Sequence, residues 1–114
     1  MKTRIINKVP HAVYILDDND TVIRVFPKSN GMIRVEESST DVGVIDGIPI
    51  CSTIWGDTTD VPPPKKGIYY IVSQLVKTAL PDRPDLLVPK AIVRDNDGTI
   101  IGCKRLDIGQ HKIL

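Results

Sequence analysis

The run GIYYIVSQLVKTALPDRPDLLVP, residues 67–89, decides the fold. GIYYIV (67–72) is β-branched and aromatic, and reads as a central strand. SQLVKTAL (73–80) then places Leu75, Val76, Ala79 and Leu80 at helical spacing. Ser73 suits the N-cap, because its hydroxyl can accept a hydrogen bond from an amide of the first turn. Pro81 and Pro84 stop the helix after about two turns. DLLVP (85–89) opens the next strand.

Downstream, KAIVRD (90–95) and TIIGCKR (99–105) flank Asn96-Asp97-Gly98, a hairpin signal. Upstream, HAVYILD (11–17) and TVIRVF (21–26) surround Asp18-Asn19-Asp20 and read as a second hairpin. Pro27 to Gly31 breaks the chain. MIRVE (32–36) alternates, with Ile33 and Val35 on one face and Arg34 and Glu36 on the other. Glu37 to Asp41 is polar and reads as loop. Residues 42–55 hold two short apolar runs split by Asp46-Gly47. Pro49 cannot donate to a ladder, so this segment is expected at an edge or as an irregular strand. Gly56 to Lys66, with Pro62-Pro63-Pro64, reads as an ordered surface loop. The expectation is one domain over residues 1–114. It is β-rich α+β, a mainly antiparallel sheet or barrel-like body with one short helix at about 73–80.

Composition agrees. Ile and Val dominate, Phe26 is the only Phe and Trp55 the only Trp, which favours sheet. Residues 1–60 hold six Lys/Arg against nine Asp/Glu, and residues 61–114 hold nine against five. A positive face in the second half would favour an acidic or phosphate-bearing ligand, though scattered solvated charge gives the same numbers. No dense basic cluster of the DNA-binding kind occurs. Cys51 and Cys103 sit in apolar runs and read as buried free thiols. With only His11 and His111 besides, no zinc site is expected. No run approaches the length that spans a bilayer, and the first residues are too short an apolar run for a signal peptide. A cytoplasmic protein without cofactor or metal is expected.

Catalytic patterns are weak. Asp17, Asp18 and Asp20 resemble part of a calcium loop but lack its glycine and closing glutamate, and they read, like Asp95 and Asp97, as turn formers. Ser73, His11 and Asp85 could make a triad on paper, yet no G-x-S-x-G elbow surrounds Ser73. Glycine-rich phosphate loops are absent. The chain is therefore expected not to be an enzyme. A binding site is the better expectation: Ser73 and Gln74 follow a central strand where amides are free. Arg34, Arg83 and Arg94 offer planar forks for phosphate, although for each a surface or salt-bridging role competes. Of Tyr69 and Tyr70, on opposite faces, one belongs in the core and the other could stack on a base. The expected ligand-binding set is Arg34, Tyr70, Ser73, Gln74, Arg83 and Arg94.

The blocks YIVSQLV (70–76), RPDLLVP (83–89) and VRDNDGTIIGC (93–103), with NKVPHAV (7–13), resemble a family of small proteins from bacteriophages and actinobacterial genomes. The resemblance spans nearly the whole chain, while residues 36–66 are peculiar to this one. What it implies is a context rather than a mechanism. Small cytosolic phage proteins without catalytic groups are often counter-defence factors, and one class sequesters a nucleotide immune signal. The resemblance thus implies a nucleotide-type ligand, such as a cyclic ADP-ribose species made by host TIR-domain enzymes, held unchanged by a homo-oligomer. The competing expectations are an interaction module that blocks a host protein through sheet edges and the proline-rich loop, a phage structural or assembly protein, and an enzyme that cleaves the signal.

Overall fold

The computed structural model describes residues 3–29 and 33–109; Asn30, Gly31, Met32 and His111 lie outside them. The elements are β1 (Arg4–Asn7), β2 (Val13–Leu16), β3 (Val22–Phe26), β4 (Arg34–Ile45), β5 (Ile48–Thr59), β6 (Ile68–Ile71), α1 (Gln74–Ala79), β7 (Leu86–Arg94) and β8 (Ile100–Asp107). The chain is β-rich with one short helix, as the sequence indicates. Ser73 caps that helix, its Oγ accepting from the Val76 amide at 3.3 Å.

Six strands form one sheet in the order β1-β6-β7-β8-β2-β3, and β4 and β5 form a separate pair. The two expected hairpins are present as antiparallel pairs, β2 with β3 and β7 with β8. Three junctions of the sheet are parallel instead: β1 with β6, β6 with β7, and β8 with β2. The β6–β7 junction is parallel because α1 carries the chain from β6 over to β7 in the same direction, as a crossover requires. No barrel closes. The sheet coils until its two edges, β1 and β3, border one hollow lined by Arg4, Ile5 and Arg24, and like charges on both edges disfavour their pairing.

Strand β6 and Val72, which follows it, supply both cores by simple alternation. Tyr70 and Val72 pack with Ile33, Val76, Leu86 and Val88 under the helix. Ile71, fully buried, packs on the opposite side with Val9, Val13, Phe26 and Cys103. Strands β2 and β8 approach so closely that a Cβ on Gly102 would lie 2.8 Å from the Tyr14 carbonyl oxygen.

The two tight hairpins use one device. Asp17 Oδ1 accepts from the amides of Asn19 and Thr21 at 2.9 and 3.0 Å, and Asp95 Oδ1 accepts from Asp97 and Thr99 at the same distances. These carboxylates build turns. Asn7 has a larger role. Its carboxamide is buried, donates to the carbonyls of His11 and Pro27 at 3.0 Å and of Phe26 at 3.4 Å, and accepts from the Val9 amide. It thereby ties the end of β1 to the end of β3.

The segment from Glu37 to Asp41, read as loop, lies in β4, and β5 continues through Gly56 to Thr59. Together β4 and β5 make a two-stranded arm joined at Asp46-Gly47, whose φ values of 52° and 78° fit the turn type that matches strand twist. Pro49 is tolerated because each strand of such a pair is an edge. Only the arm's root is packed: Ile33, Val35 and Val61 lie against the helix-side core. The arm raises the radius of gyration to 16.9 Å, against about 13 Å for a compact domain of this length.

Asn7→Ala is expected to lower stability by about 2–3 kcal/mol, because one buried and two part-buried carbonyls and a buried amide lose their partner. A thermal melt reads this as a loss of roughly 10 °C. An unchanged melting temperature would mean that Asn7 does not hold the two edges.

Candidate functional site

Two of the six expected ligand residues line the same hollow. A cleft of about 310 Å³ lies between the NKVPH turn, the arm's root and the helix start, and is lined by Lys8, Ile33, Arg34, Val72, Ser73 and Leu75 among others. Lys8 and Arg34 supply its positive charge, and neither forms an ion pair among the described residues. The floor is apolar. Gln74 is next in sequence to Ser73 but is exposed, and its amide donates to Thr78 Oγ1 at 3.4 Å.

The other three residues are elsewhere. Arg83 is bound by Asp85: Nε and Nη2 each donate to a carboxylate oxygen at 2.8 Å, and Nη2 also donates to the Pro62 carbonyl at 2.9 Å. Both partners are largely covered, at 18 % and 10 % side-chain exposure. The hydrogen bond to Asp85 raises the Arg83 pKa above its ordinary value, with burial opposing. A bidentate pair of this kind is a structural clamp that pins the proline-rich loop to the body. Tyr70 is only 5 % exposed and belongs to the core, so Tyr69, half-buried, is the more open of the two tyrosines. Arg94 lies at the far end of β7, where Nη1 donates to the Gly98 carbonyl of its own hairpin at 2.8 Å.

Lys8 escaped the sequence reading although it belongs to the quoted NKVPH block. Its only signal was its position beside a buried asparagine. Lys77 likewise serves the fold, its Nζ donating to the carbonyls of Leu86 and Ile108 at 2.9 Å. Among the described residues, no group of three or more His, Cys, Asp or Glu is placed to hold a metal ion. No helix there is long and apolar enough to cross a membrane.

The second candidate is the arm. In the β4–β5 register Ile45 faces Ile48, Gly43 faces Ile50 and Ser38 faces Ile54. Paired residues share a face, and successive residues alternate. Ile45, Ile48, Ile50 and Ile54 therefore form one stripe, while Cys51, Thr53 and Trp55 take the other side. Ile45, Ile48 and Ile54 are 66 %, 60 % and 61 % exposed. Cys51 is exposed too, against expectation, because the arm has no second layer above it. Cys103 is the buried thiol, and burial pushes its pKa up.

Comparisons of the chain with protein-family models, curated proteins and solved structures find no match.

Two outcomes follow from these placements. A thiol reagent applied to the native protein is expected to label Cys51 and to reach Cys103 only on unfolding, as peptide mass spectrometry would read. Arg83→Ala is expected to cost about 3 kcal/mol, since it strands the Asp85 carboxylate. A denaturant titration showing no loss would return Arg83 to the list of free cations.

Proposed function

We propose that this protein acts by binding alone, as a protein-interaction module whose working element is the β4–β5 arm. The observation that carries the reading is the isoleucine stripe: three side chains at 60 % exposure or more on one face of a projecting ribbon. Scattered surface apolar residues need no explanation, but an aligned set on an otherwise unpacked element marks a binding face. The two free ladder edges of the arm add a second mode, since an incoming strand can extend them. In the phage setting implied by the resemblance, a host protein is one partner the arm would take.

A second reading is supported by the cleft. Lys8 and Arg34 flank an apolar floor beside the Ser73 hydroxyl, which suits a ligand with an anionic group and a flat apolar part. A nucleotide-type molecule, such as a cyclic ADP-ribose species, has that chemistry, and holding it would need no general acid or base.

A photo-reactive residue at position 45, introduced in producing cells, tests the first reading: covalent adducts with protein are expected, and none at all would sink it. For the second, the protein is incubated with candidate nucleotides, heated, and its supernatant assayed. Intact ligand is expected back. Arg34→Ala or Lys8→Ala should weaken uptake by about 1.5–3 kcal/mol for a lost charge-assisted contact, with Arg94→Ala as the unaffected control. Equal uptake by all three variants would remove the cleft from consideration.

A further inference from the structure

We infer that the arm's partner is an extended basic segment of another protein, in which apolar residues alternate with Lys or Arg, added as a third strand along the free edge of β5. The inference rests on the interaction-module reading and names its occupant. Strand β5 is paired on one side only, by β4. From Ile48 to Gly56 it reads IPICSTIWG, nine residues without a charge. Open edges are normally guarded by lysines, inward charges or a covering element. Here seven of the nine residues are exposed, and only Ile50 and Trp55 are half-buried. The two-residue turn sets which backbone groups are available. It is closed between Ile45 and Ile48, so the ladder bonds of β5 alternate from there, and the amides of Cys51, Thr53 and Trp55 turn away from β4. Pro49 shares that outward side but has no amide, so an added strand finds its donors from Cys51 onward.

The register then dictates the side chains of the added strand. Ile48, Ile50 and Ile54 project to one face, and neighbours across a ladder share a face and interact. Residues of the partner on that side are therefore apolar. On the opposite face Glu37 pairs with Trp55 and Asp41 with Cys51. Both carboxylates are exposed, and neither forms an ion pair among the described residues. A cation beside Trp55 meets the aromatic ring best suited to hold it, with Glu37 directly beyond. Strand β4 lies two strand spacings, about 10 Å, from the added strand, a gap that a Lys or Arg and an acidic side chain cover together. Charge excludes the other occupants. Residues 35–64 hold Glu36, Glu37, Asp41, Asp46, Asp57 and Asp60 and not one Lys, Arg or His. A nucleic acid, an anionic membrane or the arm of a second copy brings negative charge against them, whereas a basic segment is drawn in.

Trp55, the only tryptophan, reports on this edge through its own fluorescence. The probe is a synthetic ten-residue peptide alternating valine with lysine and arginine, and a saturable change in emission is expected. A peptide of the same composition with its valines in one block cannot sort its side chains to two faces. The alternating peptide with its amides N-methylated cannot donate to β5. Each should bind about tenfold more weakly or worse, and a peptide alternating valine with glutamate should not bind. In the protein, Ile54→Asp should weaken uptake about tenfold, because it sets a carboxylate among apolar side chains. Glu37→Gln with Asp41→Asn should weaken it about fivefold, the size of two exposed ion pairs, while Asp97→Asn in the β7–β8 hairpin should change nothing. All these positions are exposed, so unchanged melting verifies that the variants are folded. Equal binding of the alternating and blocked peptides overturns the inference, as does uptake that the arm variants leave intact. Silence toward every peptide, with protein adducts at position 45, overturns the basic strand and keeps the interaction module; adducts solely at twice the chain mass do the same in favour of a second copy. No peptide uptake and no adduct would remove both.

Discussion

The Asn7 carboxamide is the interaction on which the arrangement depends. It satisfies backbone groups from two separate places: the turn that follows β1, through the Val9 amide and the His11 carbonyl, and the residues that end β3. The buried Phe26 carbonyl and Val9 amide would otherwise lose their water without replacement. A single planar side chain with both donor and acceptor can serve all of them. Its consequence is positional. The β1 and β3 ends are held together, which coils the sheet around Ile71 and Phe26 and brings Lys8 and Pro10 beside the arm's root. Curl, cleft and arm origin thus share one hinge point.

Most charges that look available in the sequence are consumed in this way by the fold. Arg83 holds the proline-rich loop through Asp85, Lys77 joins the starts and ends of neighbouring strands, and Arg94 closes its own hairpin. Asp17 and Asp95 are spent on turn amides. A guanidinium that has found a carboxylate and a carbonyl offers little to a phosphate, because exchange would strand the groups it leaves. Lys8 and Arg34 differ from the others in having no such engagement among the described residues, which is why the cleft, rather than the wider arginine set, carries the ligand reading.

The sequence made the body legible where local chemistry is decisive. The strand at 67–72, the Ser73 cap and the two acidic hairpin turns follow from alternation, capping and turn geometry. What escaped was the arm, and for a physical reason. Alternation marks a strand when one face is buried, and residues 37–41 are solvated on both faces of a ribbon with nothing above or below. The Asp46-Gly47 pair carries the same hairpin signal as Asp97-Gly98, and Pro49 pointed to an edge or irregular strand, which fits because every strand of a two-stranded pair is an edge; the polar run 37–41 hid the hairpin's length. The site suffered similarly. Arg83 and Asp85 are two residues apart across a proline, so their pairing was local, whereas the meeting of Lys8, Arg34 and Ser73 depends on long-range sheet order that spacing cannot convey.

An isolated two-stranded ribbon is marginal in water, yet here twelve residues on each side hold a continuous register apart from two irregularities. Three features support that order without a covering layer: the turn at Asp46-Gly47, the packing of the root on the helix-side core, and an acidic surface that resists edge-to-edge aggregation. Order before binding lowers the entropic cost of binding, since few backbone angles remain to be fixed. On the proposed reading, stability and recognition reside in different parts of the chain. The body's two cores stabilise the fold, and the arm keeps apolar side chains in water. Keeping those side chains in water is costly, and a surface of matching polarity that covered the stripe would offset the cost.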